Sequence, residues 1–116
     1  MKIMDAKYEH DLQVADETVR FTGMLIGQAI VLSGGLLELH GTVVGDVTVH
    51  AGGAVQLRGS VDGSVHNLGG ALNIFGMIEG QVDHQSGTTS YYKGAIVNGV
   101  EVPTDRKVGL EIHEKP

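Results

Sequence analysis

The sequence predicts an all-β fold: a single-domain parallel β-helix (β-solenoid) of triangular section, about five turns of 17–18 residues. Three observations predict it. Glycine returns at fixed steps, apolar residues alternate with polar ones inside each step, and the same apolar letters recur in columns while the letters between them wander. The phrase Leu39-His40-Gly41-Thr42-Val43-Val44-Gly45-Asp46-Val47 comes back as Leu57-Arg58-Gly59-Ser60-Val61-Asp62-Gly63-Ser64-Val65. It comes back again as Ile74-Phe75-Gly76-Met77-Ile78-Glu79-Gly80-Gln81-Val82.

The glycine columns set the turn. Gly23, Gly41, Gly59, Gly76 and Gly94 form one, and Gly27, Gly45, Gly63, Gly80 and then Asn98 form a second; Asn is the expected substitute where a corner needs a left-handed backbone. The doublets Gly34-Gly35, Gly52-Gly53 and Gly69-Gly70 keep step. Two apolar columns run beside them: Ala29, Val47, Val65, Val82, Val100 and Leu25, Val43, Val61, Ile78, Ile96. Within a unit Leu37, Leu39, Val43, Val47 and Val49 share one parity, and Glu38, His40, Thr42, Asp46, Thr48 and His50 take the other. Period two is extended strand with one face buried, not helix. A single unit is too small to bury that face, and stacked units cover one another.

This register places turn one at Val19–Leu36, turn two at Leu37–Ala54, turn three at Val55–Ala71, turn four at Leu72–Thr89 and the start of turn five at Ser90. A one-residue deletion falls between Val65 and Gly69. Residues 1–18 alternate weakly through Tyr8, His10, Leu12 and Val14, as an N-terminal cap or half turn. Residues 19–102 are the β-helix core. Residues 103–116 are a loop and closing strand, with Val108, Leu110 and Ile112 as the last alternation.

Composition narrows the function. The chain has 116 residues, formal net charge −6, no cysteine and 4% aromatic residues. The charge argues against sequence-independent nucleic-acid binding, which needs a basic surface. Without cysteine there is neither a disulfide framework nor a thiolate metal site. No apolar run approaches the roughly 18 residues of a membrane span. The N-terminal Met1-Lys2-Ile3-Met4-Asp5 has an acid where a signal peptide is apolar, so the expected location is cytoplasmic.

At the V-x-L-x-G-x-V-x-G-x-V phrase the chain resembles the bactofilins, polymer-forming bacterial cytoskeletal proteins, over about residues 19–102. The resemblance implies a right-handed parallel β-helix that assembles end to end into filaments without nucleotide. The general preference for right-handed parallel crossovers agrees on the hand. The long basic or proline-rich tails common in bactofilins are not found in these 116 residues, so membrane tethering is not carried over.

No catalytic, metal or cofactor site is expected. Asp62 and Glu79, in the outward column Ile26, Val44, Asp62, Glu79, Val97, read as solvated acids. His66 and Asp83, in the column Ile30, Thr48, His66, Asp83, Glu101, read as a surface pair; Ser64 nearby lacks the oxyanion-binding partners of a catalytic triad. His84 falls on the inward parity as a structural histidine. The outward apolar residues carry the functional expectation: Met24, Ile26, Ile30, Leu32, Leu36, Phe75, Met77 and Tyr91 form a self-association or partner-contact set unless the N-terminal segment folds over turn one. The partner is a second copy of the chain, in a homo-oligomer or filament, or another protein. The alternative to a non-catalytic scaffold is a compact binding module of limited oligomeric state, such as an immunity- or antitoxin-type protein.

Overall fold

A computed structural model describes residues 1–92, 94–101 and 111–113; Val108 and Leu110 of the expected closing strand lie outside them. The described residues contain strands and no helix, wound into five complete coils and the start of a sixth. The first coil is β1 (Lys2–Met4), β2 (Lys7–Tyr8) and β3 (Leu12–Val14). The second is β4 (Thr18–Phe21), β5 (Met24–Ile26) and β6 (Ala29–Val31). The third is β7 (Leu36–Leu39), β8 (Thr42–Val44) and β9 (Val47–Val49). The fourth runs through β10 (Ala54–Leu57) and β11 (Ser60–Asp62) into β12 (Val65–Ile74), which bends across a corner into the fifth. There β13 (Met77–Ile78) precedes β14 (Val82–Tyr92), which likewise crosses a corner. β15 (Ile96–Val97), β16 (Val100–Glu101) and β17 (Glu111–His113) follow.

Apart from β16, each strand pairs in parallel with its counterpart one coil away, giving three ladders around one core. The first face stacks β1, β4, β7, β10 and the ends of β12 and β14; the second stacks β2, β5, β8, β11, β13 and β15; the third stacks β3, β6, β9 and the beginnings of β12 and β14. Interior residues therefore fall into files. Tyr8, Leu25, Val43, Val61, Ile78 and Val97 make one, and Met4, Phe21, Leu39, Leu57, Ile74 and Tyr91 another. Leu25, Val43, Val61 and Ile78 are buried, as the alternation predicts.

Two stretches differ from the sequence reading. Residues 2–14 are a whole coil with a strand on every face, where weak alternation suggests a cap or half turn. At the other end, Ile78 pairs with Val97, not with Ile96, so the last column slips by one residue. Asn98 (φ 54°) and Gly99 (φ 75°) then make a two-residue turn, and β16 runs antiparallel against β15. Positive φ at both central residues suits the twist of a tight hairpin, which explains the Asn-Gly pair. Asn98 does adopt the left-handed backbone, but in a hairpin turn and not at a coil corner. Val100 consequently leaves the Val82 column and is 64% exposed.

Candidate self-association surfaces

The outward apolar residues do not form one patch. Outward positions along a coil are carried around three faces, so a run of same-parity residues is dispersed as the chain turns. Met24 and Ile26 lie on the second face, with Ile26 beside Val44 of the next coil; they are 41%, 38% and 37% exposed respectively. Ile30 sits on the third face between Gln13 and Thr48, and Leu36 on the first between Thr18 and Ala54. Leu32, between β6 and β7, lies at the corner joining those two faces, and Ile30, Leu32 and Leu36 are all half-buried. Residues 1–18 stack on the edge of the second coil and do not cover its outer surface, which leaves Met24 and Ile26 open. Met77 is exposed on the second face but is separated from Met24 by Thr42 and Ser60.

Tyr91 is a correction. It pairs with Ile74 in an interior file and is only 6% exposed, because the step here is 17 residues and the last column of the repeat is out of phase. Desolvation raises the pKa of its phenol. The outward position belongs to Tyr92, whose ring stacks on Phe75 with centroids 4.1 Å apart and planes 11° from parallel. The Arg58 guanidinium covers the other face of Phe75 at 4.0 Å. Phe75 is thus sandwiched between neighbouring coils, a self-satisfied stack in which cation–π and offset aromatic contacts absorb what the sequence reads as a sticky side chain.

The polar outer columns come together as the register requires, up to the hairpin. His66 pairs with Asp83 across the ladder, with Nδ1 3.4 Å from Asp83 Oδ2 and Nε2 3.5 Å from Asp46 Oδ2. Ser64 is engaged elsewhere, its Oγ accepting the Gln81 amide, so it does not approach His66 as a nucleophile. Asp46 Oδ1 accepts the Ser64 amide and Asp11 Oδ1 the Gln28 amide, so this corner is laced to the next coil by side chains. Glu101 is not in the His66 column and Val97 is not in the Asp62 column; the hairpin removes the first, and the one-residue slip puts the second opposite Ile78. Among the described residues no group of three or more His, Cys, Asp or Glu side chains is placed to hold a metal ion.

The Gln85 amide, donating to Asp83 Oδ2 at 2.8 Å, and then His66, hold the Asp83 carboxyl below its ordinary pKa. Its folded value lies beneath the unfolded one, so the stabilisation it gives is complete above about pH 4 and is lost as pH falls through the folded value. In an NMR titration the Asp83 midpoint is expected below about 3.9. Gln85→Ala and His66→Ala should each raise it; a midpoint that either change leaves in place would remove that side chain as a cause.

Sequence reasoning missed the most organised polar group. Asn67 stands in an interior file whose earlier members are Val14, Val31 and Val49, and it is fully buried. Its Oδ1 accepts the Gly69 and Gly70 amides at 3.1 and 2.9 Å, and its Nδ2 donates to Thr88 O at 3.0 Å and Thr89 Oγ1 at 2.9 Å. His84 Nδ1 lies 2.8 Å from the same Thr89 hydroxyl. The available signal was an amide side chain breaking a valine file at the one-residue deletion.

Comparison with protein-family models, with curated proteins and with solved structures finds no match to this chain.

Proposed function

We propose that this is a non-catalytic, bactofilin-like structural protein of the cytoplasm that self-associates through its coil ends and exposed apolar surface into a scaffold or filament. One observation carries the reading. In the first coil β1, β2 and β3 are each the last strand of their ladder, so all three faces end in an edge without a partner strand among the described residues. Around that edge Met1 is 71% and Ile3 62% exposed. An open edge with an apolar cross-section is a template for a further strand, and a second copy of the same coil supplies three at once. The Met24, Ile26 and Val44 patch offers a lateral contact that would join such units side by side.

The opposite end favours the second reading, a compact binding module. There the second face turns back on itself in the β15–β16 hairpin, and the interior files become polar at Asn67, His84 and Thr89. A molecule with one adhesive end closes as a pair or docks on a different protein. Electron microscopy and sedimentation of the purified chain separate the two. Regular filaments or sheets, broken up by Met24→Lys with Ile26→Lys, are expected; a monodisperse monomer at every concentration would exclude self-association.

A further inference from the structure

The first coil shares a palindromic strand placement with the rest of the repeat, and it presents that placement on three open edges. Ile3 is the centre of β1 and Gln13 the centre of β3, and Tyr8 in β2 lies midway between them. From Gln13 onward to Arg20, the counterpart of Ile3 in the next coil, the separation is longer. Among the three faces, therefore, only a two-fold axis through the second, perpendicular to the coil axis, brings all three open edges of two copies into opposition.

We propose that two copies join through their first coils about such an axis at Tyr8, with β2 antiparallel to its own copy and β1 antiparallel to β3 of the other. The joint rests on the self-association reading and specifies its geometry.

Two independent features select this register. Interior residues must face interior residues, so the axis must pass through a residue and not between two. On β2 the choices are Lys7, Tyr8 or Glu9. An axis at Lys7 sets lysine against lysine, and one at Glu9 sets glutamate against glutamate. An axis at Tyr8 sets Lys7 of each copy against Glu9 of the other, both being exposed.

The same axis then fixes the remaining edges. Met4 meets Leu12, Ile3 meets Gln13, and Lys2 meets Val14. Met4, Leu12 and Val14 are core residues of this terminal layer, so the apolar centres of the two ends coincide. Asp5 faces Asp11, whose carboxylate is turned back to accept the Gln28 amide of its own corner.

The contact is small. The end face is about 20 Å across, so the joint buries less than the ~1,200 Å² of a typical stable interface. In a contact of that size the charged pairs decide the register and a large share of the affinity.

The test is a charge swap read by sedimentation velocity at low salt. Lys7→Glu and Glu9→Lys, made singly, should each weaken pairing on the order of tenfold, because each converts two attractive cross-strand pairs into repulsive ones. Lys7→Glu combined with Glu9→Lys in one chain should return pairing to within about twofold of wild type, since both attractive contacts are restored with reversed sign. That recovery also shows that the single variants are folded. If wild type associates but ignores both single reversals, or the double swap fails to recover, this joint is wrong while self-association stands. If wild type is monomeric throughout, the self-association reading falls and the joint with it.

Discussion

Gly59→Ala is expected to unfold the protein or leave it barely stable. A Cβ on Gly59 would overlap the carbonyl oxygen of Gly41 and the backbone of His40 in the preceding coil. The same holds down the column, Gly41 against Gly23 and Gly76 against Gly59. These contacts are with backbone that itself takes part in the ladder, Ser60 N donating to Gly41 O and Met77 N to Gly59 O. Relief therefore requires prising two coils apart along a whole face. Overpacking in a yielding core costs about 1–3 kcal/mol; against a fixed ladder the expected loss exceeds ~3 kcal/mol, a large part of a typical domain's 5–15 kcal/mol. Gly94→Ala is the control. Nothing lies within 4 Å of a Cβ there, and only its φ of 96° opposes the change, at a cost of about 1–2 kcal/mol. Urea unfolding followed by far-ultraviolet circular dichroism measures both. Equal losses would mean that coil-on-coil contact is not why this column is glycine.

That contact also explains which parts of the fold were legible in the sequence. The stacking glycines mark coils that have another coil beneath them. Ala6 occupies the column position in the first coil, and its carbonyl is what a Cβ on Gly23 would strike. Ala6 itself has no coil before it among the described residues, so its methyl group meets no such carbonyl. The glycine signature accordingly begins one coil late, and residues 1–18 read as a cap although Tyr8, Leu12 and Val14 already belong to the interior files. At the far end the misreading runs the other way. Gly94 continues the numerical spacing, yet Met77 pairs with Ile96 and a Cβ on Gly94 would meet nothing within 4 Å, so Gly94 does not stack on Gly76. Spacing in sequence is a proxy for stacking, and it fails where the chain leaves the coil.

The surface was less legible because alternation reports only whether a side chain points in or out. Which face an outward residue occupies depends on where the corners fall, and what covers it depends on its neighbours in adjacent coils. Phe75 and Met77 share a parity and lie two residues apart, but the corner at Gly76 separates them. Phe75 ends between Arg58 and Tyr92, while Met77 is left 37% exposed on the second face. Only the ladder register, with Phe75 one coil from both ring and guanidinium, distinguishes the two.

Asn67→Val tests whether the repeat's own pattern or its local exception governs the fourth coil. By the file rule valine belongs there, beneath the consensus set by Val14, Val31 and Val49, and burial of an aliphatic side chain favours the change. The corner geometry opposes it. In the preceding coil Ala51, Gly52 and Gly53 give the bend an additional residue, with Gly53 N donating to His50 O and Gly34 N to Gly52 O. In β12 that residue is absent, the pairing with the preceding coil steps from Val49–Asn67 to Ala54–Ala71, and the Gly69 and Gly70 amides turn to the Asn67 carbonyl. Valine leaves both donors without that acceptor, and takes from Thr88 O and the buried Thr89 hydroxyl their shared amide donor. Each buried orphan costs about 1–3 kcal/mol, against roughly 1 kcal/mol gained from the added apolar surface. The expected result is a loss of about 3–5 kcal/mol, with Asn67→Asp less damaging at Gly69 and Gly70 because the acceptor remains. Denaturant midpoints decide it. A neutral or stabilising Asn67→Val would mean that the shortened corner closes without its amide, and that the polar interior at this end is a consequence of the deletion and not its support.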